Sequence, residues 1–378
     1  MGNSETRVRN SNLEILRIIS MVLIVAHHYA VHGFGTIEMT YSFNRYVLGV
    51  LSLGGKLGVA CFVLISGYFM VYSKFTLDKL IKLVFETWFY TVGMGILFLF
   101  VLTPVEPIGL KSLIKLILPI GYSQYWFMTD FIMLMLFSPA LNLLISQMSK
   151  QMHRNLLIVG TILWSIMPSF VSASYGFDEL GWFVVLYLFA AYIRKYMDHE
   201  KKNATKDFLG AAISYFFVIV SNILLLFLGN VTGAEIFSDH STHFMALNSP
   251  FILMTAIELL IGFVKLKPYY NRTINRLASA TLGVYLIHEN GMFRPYLWRT
   301  LLKTPQMYSS PFLIIHALVS IAAVYLICSG IDLIRQNTVD RIFLNIMDRH
   351  LEQVKQWVLS IARCGYRKVE AIVTWYYK

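Results

Sequence analysis

Charge is scarce in this chain. Only 14% of its 378 residues are Asp, Glu, Lys or Arg, against roughly 25% in a soluble globular domain. With 57% hydrophobic residues and a mean hydropathy of +0.60, an ordinary water-soluble fold is excluded. Cysteine is scarcer still. Cys61, Cys328 and Cys364 show neither metal-ligand spacing nor a disulfide framework, and they read as inert thiols. Internal repeats, low-complexity tracts and a soluble-domain insertion are all missing. So is the strict apolar/polar alternation of lipid-facing barrel strands, which sets aside a membrane β-barrel.

What the chain does have is long apolar runs, several reaching the ~20 residues that cross a bilayer as a helix. Ten spans are predicted, at about 12–33, 47–72, 80–103, 124–148, 155–172, 180–197, 208–229, 247–266, 275–293 and 310–335. The expected fold is all-α: a polytopic membrane protein of about ten transmembrane helices. Residues 1–11 form a polar leader, 12–336 the transmembrane domain and 337–378 a tail. The leader lacks a cleavable signal-peptide pattern, so the first span is read as a signal anchor. In the tail, Ile342, Phe343, Ile346, Met347 and Leu351 recur at three- and four-residue spacing between Arg341, Arg349 and Lys355. That pattern predicts an amphipathic helix lying on the cytoplasmic leaflet.

The net charge of +11 does not point to nucleic acid, because of where the charge sits. Lys and Arg gather in the leader, in the connections after the second, fourth, sixth and eighth spans, and in the tail. The opposite side holds only Arg45, Lys111, Lys115, Arg294, Arg299 and Lys303. This is the positive-inside pattern, and it predicts cytoplasmic N- and C-termini.

The first span, LEILRIISMVLIVAHHYAVHGF, carries Arg17 and His28. Eleven helical steps of about 100° return the chain to within ~20° of its starting direction, so both side chains share a face, roughly 16 Å apart along the axis. His27 points roughly 80° away, and His32 lies about one turn from His28 on nearly the same side. Glu14, three residues before Arg17, can pair with it and lower the cost of burying either charge. Two readings of this stripe stay open. One is structural: an ion pair with a snorkelling arginine and a histidine that bonds a neighbouring helix. The other is functional: an anion site near the inner surface with a catalytic imidazole above it.

Further polar residues fall at matching depths. Ser66 and Tyr68 flank Gly67 at the inner end of the second span, and Lys74, Lys79 and Lys82 follow. Trp126 opens the fourth span with Asp130 one turn deeper, and His288 and Glu289 close the ninth at about the depth of His28. Glu86 and Glu258 are further intramembrane acids without an assigned role.

These residues together resemble the acyltransferase-3 family of integral membrane O-acyltransferases. The resemblance rests on the Arg-x10-His motif in LEILRIISMVLIVAHHY, on FVLISGYFM, on YWFMTDFIMLMLFSPALN and on TLGVYLIHEN, in that order, over residues 12 to about 336. The family's usual acid three residues before the arginine is Asp, and here it is Glu14. The resemblance implies transfer of an acyl group, usually acetyl, from cytoplasmic acetyl-CoA or another acyl-CoA to a hydroxyl of a cell-envelope polysaccharide or lipid-linked sugar, at the plasma membrane.

In that frame Arg17, Ser66, Tyr68 and Lys74 would hold the donor. His28 would act as base or acyl carrier, supported by Arg17 and Glu14, and His32, Trp126, Asp130 and His288 would line the acceptor end. The donor is a substrate; no resident cofactor or metal is expected. Larger members carry a fused SGNH-type extracytoplasmic domain that is not seen here, which leaves direct acylation or hand-over to a separate extracytoplasmic acyl-accepting protein. The rival class is a transporter or flippase for a lipid-linked sugar with Arg17 and His28 as a proton pathway, although no paired inverted repeat supports it.

Overall fold

A computed structural model describes residues 10–35, 40–101, 109–171, 178–197 and 203–344, together with Ile346, Gln353 and Ser360. Every regular element among the described residues is helical. The first half comprises α1 (Ser11–Phe34), α2 (Phe43–Ser52), α3 (Gly54–Met70), α4 (Leu77–Phe100), α5 (Leu110–Ile117), α6 (Trp126–Gln147), α7 (Lys150–Thr161) and α8 (Met167–Phe170). The second half comprises α9 (Glu179–Tyr196), α10 (Thr205–Thr232), α11 (Glu235–Asp239), α12 (Pro250–Lys265), α13 (Arg272–Ser279), α14 (Thr281–His288), α15 (Phe293–Pro295) and α16 (Leu313–Asn337). A π turn, Ile162–Ile166, joins α7 to α8.

Among the described residues, seven segments are long and apolar enough to cross a membrane alone: Ser11–Phe34, Phe43–Met70, Leu77–Phe100, Trp126–Gln147, Thr205–Thr232, Glu235–Lys265 and Leu313–Leu344. The expected count was ten. The three remaining places hold helices of another kind. One is interrupted by the π turn. α9 has 18 residues with Glu179, Arg194 and Lys195 at its ends. The α13–α14 segment breaks at Ala280. The tail predicted over 337–378 lies mostly outside the described residues.

α1 is the hub. It packs on α2, α3, α12, α13, α14 and α16, and Leu16, Val25, Tyr29 and Phe34 are sealed from solvent. Its start is tied down: Ser11 Oγ donates to Asn275 Oδ1 at 2.8 Å, and Asn12 Nδ2 donates to the Lys267 carbonyl at 3.1 Å. α3 approaches α1 closely because small residues face it. A Cβ on Gly58 would meet the Ser20 carbonyl and Ile24, and one on Gly55 would overlap the His27 ring. Small residues at such a crossing let backbones meet without the hydrophobic drive that lipid cannot provide. On the lipid side, Phe216, Phe217 and Leu224 of α10 and Leu318, Val319 and Ile327 of α16 are exposed, as an apolar solvent permits.

α6 contains Pro139, which leaves the carbonyl four residues earlier without its helical donor. Ser138 Oγ donates to that Met135 carbonyl at 2.8 Å, so the backbone remains satisfied inside the membrane.

Candidate active site

Two cavities lie along the polar stripe of α1. The first, about 340 Å³, is lined by Arg17 of α1, Ser66 of α3, Lys79 of α4 and Ser138 of α6, with Ser73 and Lys74 from the α3–α4 turn. Three cations thus converge on it. Arg17 is already oriented: Nη1 donates to Glu14 Oε1 at 3.1 Å and to Oε2 at 3.2 Å, and its guanidinium lies 5.8 Å from the Phe69 ring centre. Glu14 is only 3% exposed while the Arg17 side chain keeps 22%. The acid therefore acts as a buried anchor, and the guanidinium stays presented to the cavity.

The second cavity, about 190 Å³, is lined by His27, His28, Lys56, Trp126 and Tyr285 within a mainly apolar wall that includes Met21, Ile24 and Phe62. The lower volume is of the size that holds a small organic ligand, and the upper is smaller. The two cavities abut, since Ser66, Leu83 and Phe131 belong to the lining of each. One hydroxyl and two apolar side chains therefore form the neck between the Arg17 end and the His28 end.

At the upper end the hydrogen bonds fix how His28 carries its proton. His288 Nδ1 lies 2.6 Å from the Val284 carbonyl oxygen. A carbonyl only accepts, so this nitrogen bears the hydrogen and Nε2 of the neutral ring keeps its lone pair. His28 Nδ1 stands 2.8 Å from that Nε2 and is therefore the donor. The lone pair of a neutral His28 is left on its own Nε2, which none of the described residues bonds. That is the arrangement a general base needs.

Glu289 completes the group. Its Oε2 is 3.2 Å from His28 Nδ1 and 3.3 Å from His32 Nε2, while Oε1 accepts from Arg294 Nη1 at 2.6 Å. A carboxylate on the far side of the imidazole stabilises the imidazolium that forms when Nε2 takes a proton. His28, His32 and Glu289 also bring one metal-ligand atom each within 4.8 Å of one another. The Arg294 guanidinium on the same carboxylate already supplies the positive charge that a cation would bring.

The support comes from α14 and the turn after it. Tyr125 Oη donates to the Leu286 carbonyl and accepts from Asn290 Nδ2, both at 2.9 Å. Asn290 Oδ1 in turn accepts from the Met292 N–H at 3.0 Å. A Cβ on Gly283 would collide with Asp332 of α16, so α14 sits hard against that helix. His27, by contrast, is held by the backbone, with Nδ1 at 2.5 Å from the Ser52 carbonyl.

The residues predicted from sequence are distributed as follows. Arg17, Ser66 and Lys74 share the lower cavity, with Glu14 behind Arg17. His28 and Trp126 share the upper one, where Lys56 Nζ stands 4.4 Å from the Trp126 ring centre. His288 is fully buried behind His28 rather than on the cavity wall, and His32 reaches Glu289. Tyr68 turns to α9, where Arg194 Nη1 donates to its hydroxyl at 2.6 Å. Asp130 is on neither wall; it lies within electrostatic reach of Glu179 and Asp178. Sequence reasoning noted Glu289 without giving it a role, and it passed over Arg294 and Asn290. The contiguous His288-Glu289-Asn290 was the available signal.

Comparison with curated proteins and with solved structures finds no match for the chain. The model of the acyltransferase-3 family, described as an acyltransferase domain, matches residues 10–331. With that match covering most of its length, the chain belongs to the acyltransferase-3 family, a family of membrane acyltransferases.

Proposed function

We propose that this protein is an O-acyltransferase of the plasma membrane. It moves an acyl group, acetyl in the simplest case, from cytoplasmic acyl-CoA to a hydroxyl of an extracytoplasmic or lipid-linked envelope glycan. The observation that carries this reading is the pair of abutting cavities, one cationic at Arg17 and one holding a base at His28. Phosphates cannot cross lipid, so the nucleotide end of the donor stays in the lower cavity with Arg17, Lys74 and Lys79. The pantetheine arm passes the neck at Ser66, covering the ~16 Å rise between Arg17 and His28.

The acceptor enters at the His28 end, past Trp126 and Lys56. Its hydroxyl gives its proton to His28 Nε2 as the oxygen attacks the thioester carbonyl carbon. The C–S bond then breaks, and the leaving thiolate takes the proton from the His28 imidazolium, which returns the ring to neutrality. Glu289 and His288 hold the imidazolium through Nδ1 during the exchange. A covalent variant, in which Nε2 first accepts the acyl group and then yields it to the hydroxyl, uses the same lone pair.

The test supplies radiolabelled acetyl-CoA to membranes containing the wild type or His28→Ala. Label in envelope glycan with the wild type alone supports the reading. No label with either, together with altered export of lipid-linked sugar, would replace it with a flippase.

A further inference from the structure

A third concavity lies away from the acyl-transfer path, between α7, α9 and α12. Its volume is about 810 Å³, and its walls are almost wholly apolar, including Leu157, Ile162, Leu253 and Met254. The exception is one end, where Lys150 and Arg154 stand on the first turns of α7. Among the described residues no acid pairs with either. Arg154 donates only to the neutral Gln151 side chain, at 2.8 Å, and Lys150 lies 5.9 Å from the Tyr196 ring centre.

Its proportions match one kind of ligand. From Lys150 to Ile162 the helix rises about 18 Å, against about 15 Å for half the hydrocarbon thickness of a bilayer. A groove that is cationic at its mouth and apolar for the depth of one leaflet complements a phosphate with an acyl chain beneath it. Its inner end coincides with the π turn Ile162–Ile166, which sets the α7 side chains out of the usual helical register there.

We propose that this groove is a binding site for an anionic glycerophospholipid of the leaflet on the Arg17 side. The phosphate sits between Lys150 and Arg154, and one acyl chain runs along Leu157 and Ile162 against Met254. The competing explanation is that these cations only belong to the diffuse basic surface that topology places on this side.

The experiment separates the two. Purified protein in neutral detergent is equilibrated with equimolar phosphatidylglycerol and phosphatidylcholine, repurified, and its retained lipid quantified by mass spectrometry. The expected result is at least fivefold enrichment of phosphatidylglycerol, falling to near parity in Lys150→Glu/Arg154→Glu. The control pair Arg272→Glu/Arg276→Glu, exposed on α13, should leave the enrichment intact. Met254→Trp, which fills the groove without touching charge, should also lower it and serves if the double charge reversal does not fold. Equal retention of the two lipids by the wild type, an unchanged ratio in the groove variants, or an equal loss in the control pair would overturn the proposal.

Discussion

His28 Nδ1 and His288 Nε2 are 2.8 Å apart, and the opposite nitrogen of His288 is 2.6 Å from the Val284 carbonyl. One backbone oxygen therefore sets the tautomer of two successive imidazoles, and the lone pair left over belongs to His28 Nε2. Replacing His28 with Ala should cost roughly 10² to 10⁴ in acyl transfer, the usual contribution of a general base. His27→Ala should cost less than about tenfold, because that ring is engaged with the Ser52 carbonyl. Transfer rates of the two variants, measured with labelled donor in membranes, check the assignment. Inactivation by His27→Ala with His28→Ala still active would put the base on the wrong face of α1.

On the proposed mechanism Glu289 and His288 act through His28, as positioning residues. Glu289→Gln keeps the shape but removes the charge opposite the forming imidazolium. The expected outcome is a fall in kcat of roughly ten- to a hundredfold with KM for the donor unchanged. Steady-state kinetics at saturating acceptor give the split. A raised KM at normal kcat would assign Glu289 to binding instead.

Arg17 should show the opposite pattern. A charged hydrogen-bonding group is worth about 1.5–3 kcal/mol, so Arg17→Ala should weaken CoA binding roughly ten- to a hundredfold. His28→Ala should leave that affinity nearly intact. Equilibrium binding of CoA to the purified variants separates them, and rising salt should weaken the wild type as it does any cation–phosphate contact.

The pairing of these two residues was readable in the sequence because helical phase is local: eleven steps fix which side chains share a stripe, whatever surrounds them. The same arithmetic explains Tyr68. Ser66 and Tyr68 are two positions apart, and such residues do not share a helix face. Ser66 therefore lines both cavities while Tyr68 meets Arg194 on the other side.

The role of His288 was beyond such reasoning. Nothing in TLGVYLIHEN says that its imidazole lies behind His28 rather than beside substrate. That depends on Gly283 lying against Asp332 and on Tyr125 holding the end of α14. The difference between ten expected spans and seven segments long and apolar enough to cross alone has a related reason. α9 and the α13–α14 segment are held by their neighbours and are individually too short, too charged or too broken to be recognised by length and apolarity.

The neck at Ser66 makes its own prediction. A bulky side chain there should block the arm without touching either end. Ser66→Phe is expected to abolish transfer while retaining CoA binding within about threefold, at an overpacking cost of about 1–3 kcal/mol. Transfer and binding measured on one preparation test it. If Ser66→Phe transfers normally, the two cavities do not form the donor's path.

One guanidinium holds three buried acids and ties α16 to α4. Arg335 Nη2 donates to Glu86 Oε1 at 2.8 Å, Nε to Asp332 Oδ1 at 2.8 Å and Nη1 to Asp340 Oδ1 at 2.6 Å. Tyr90 and Gln336 also donate to Asp332, at 2.6 and 2.7 Å. Lys82 reaches Asp340 at 3.4 Å but is 45% exposed. Removing one partner from a buried ionic group strands the others, at about 3–5 kcal/mol, whereas an exposed pair contributes under about 1 kcal/mol. Arg335→Met should therefore lower the unfolding midpoint in detergent far more than Lys82→Met does. Similar shifts from the two substitutions would mean that the acids are neutralised by something other than Arg335.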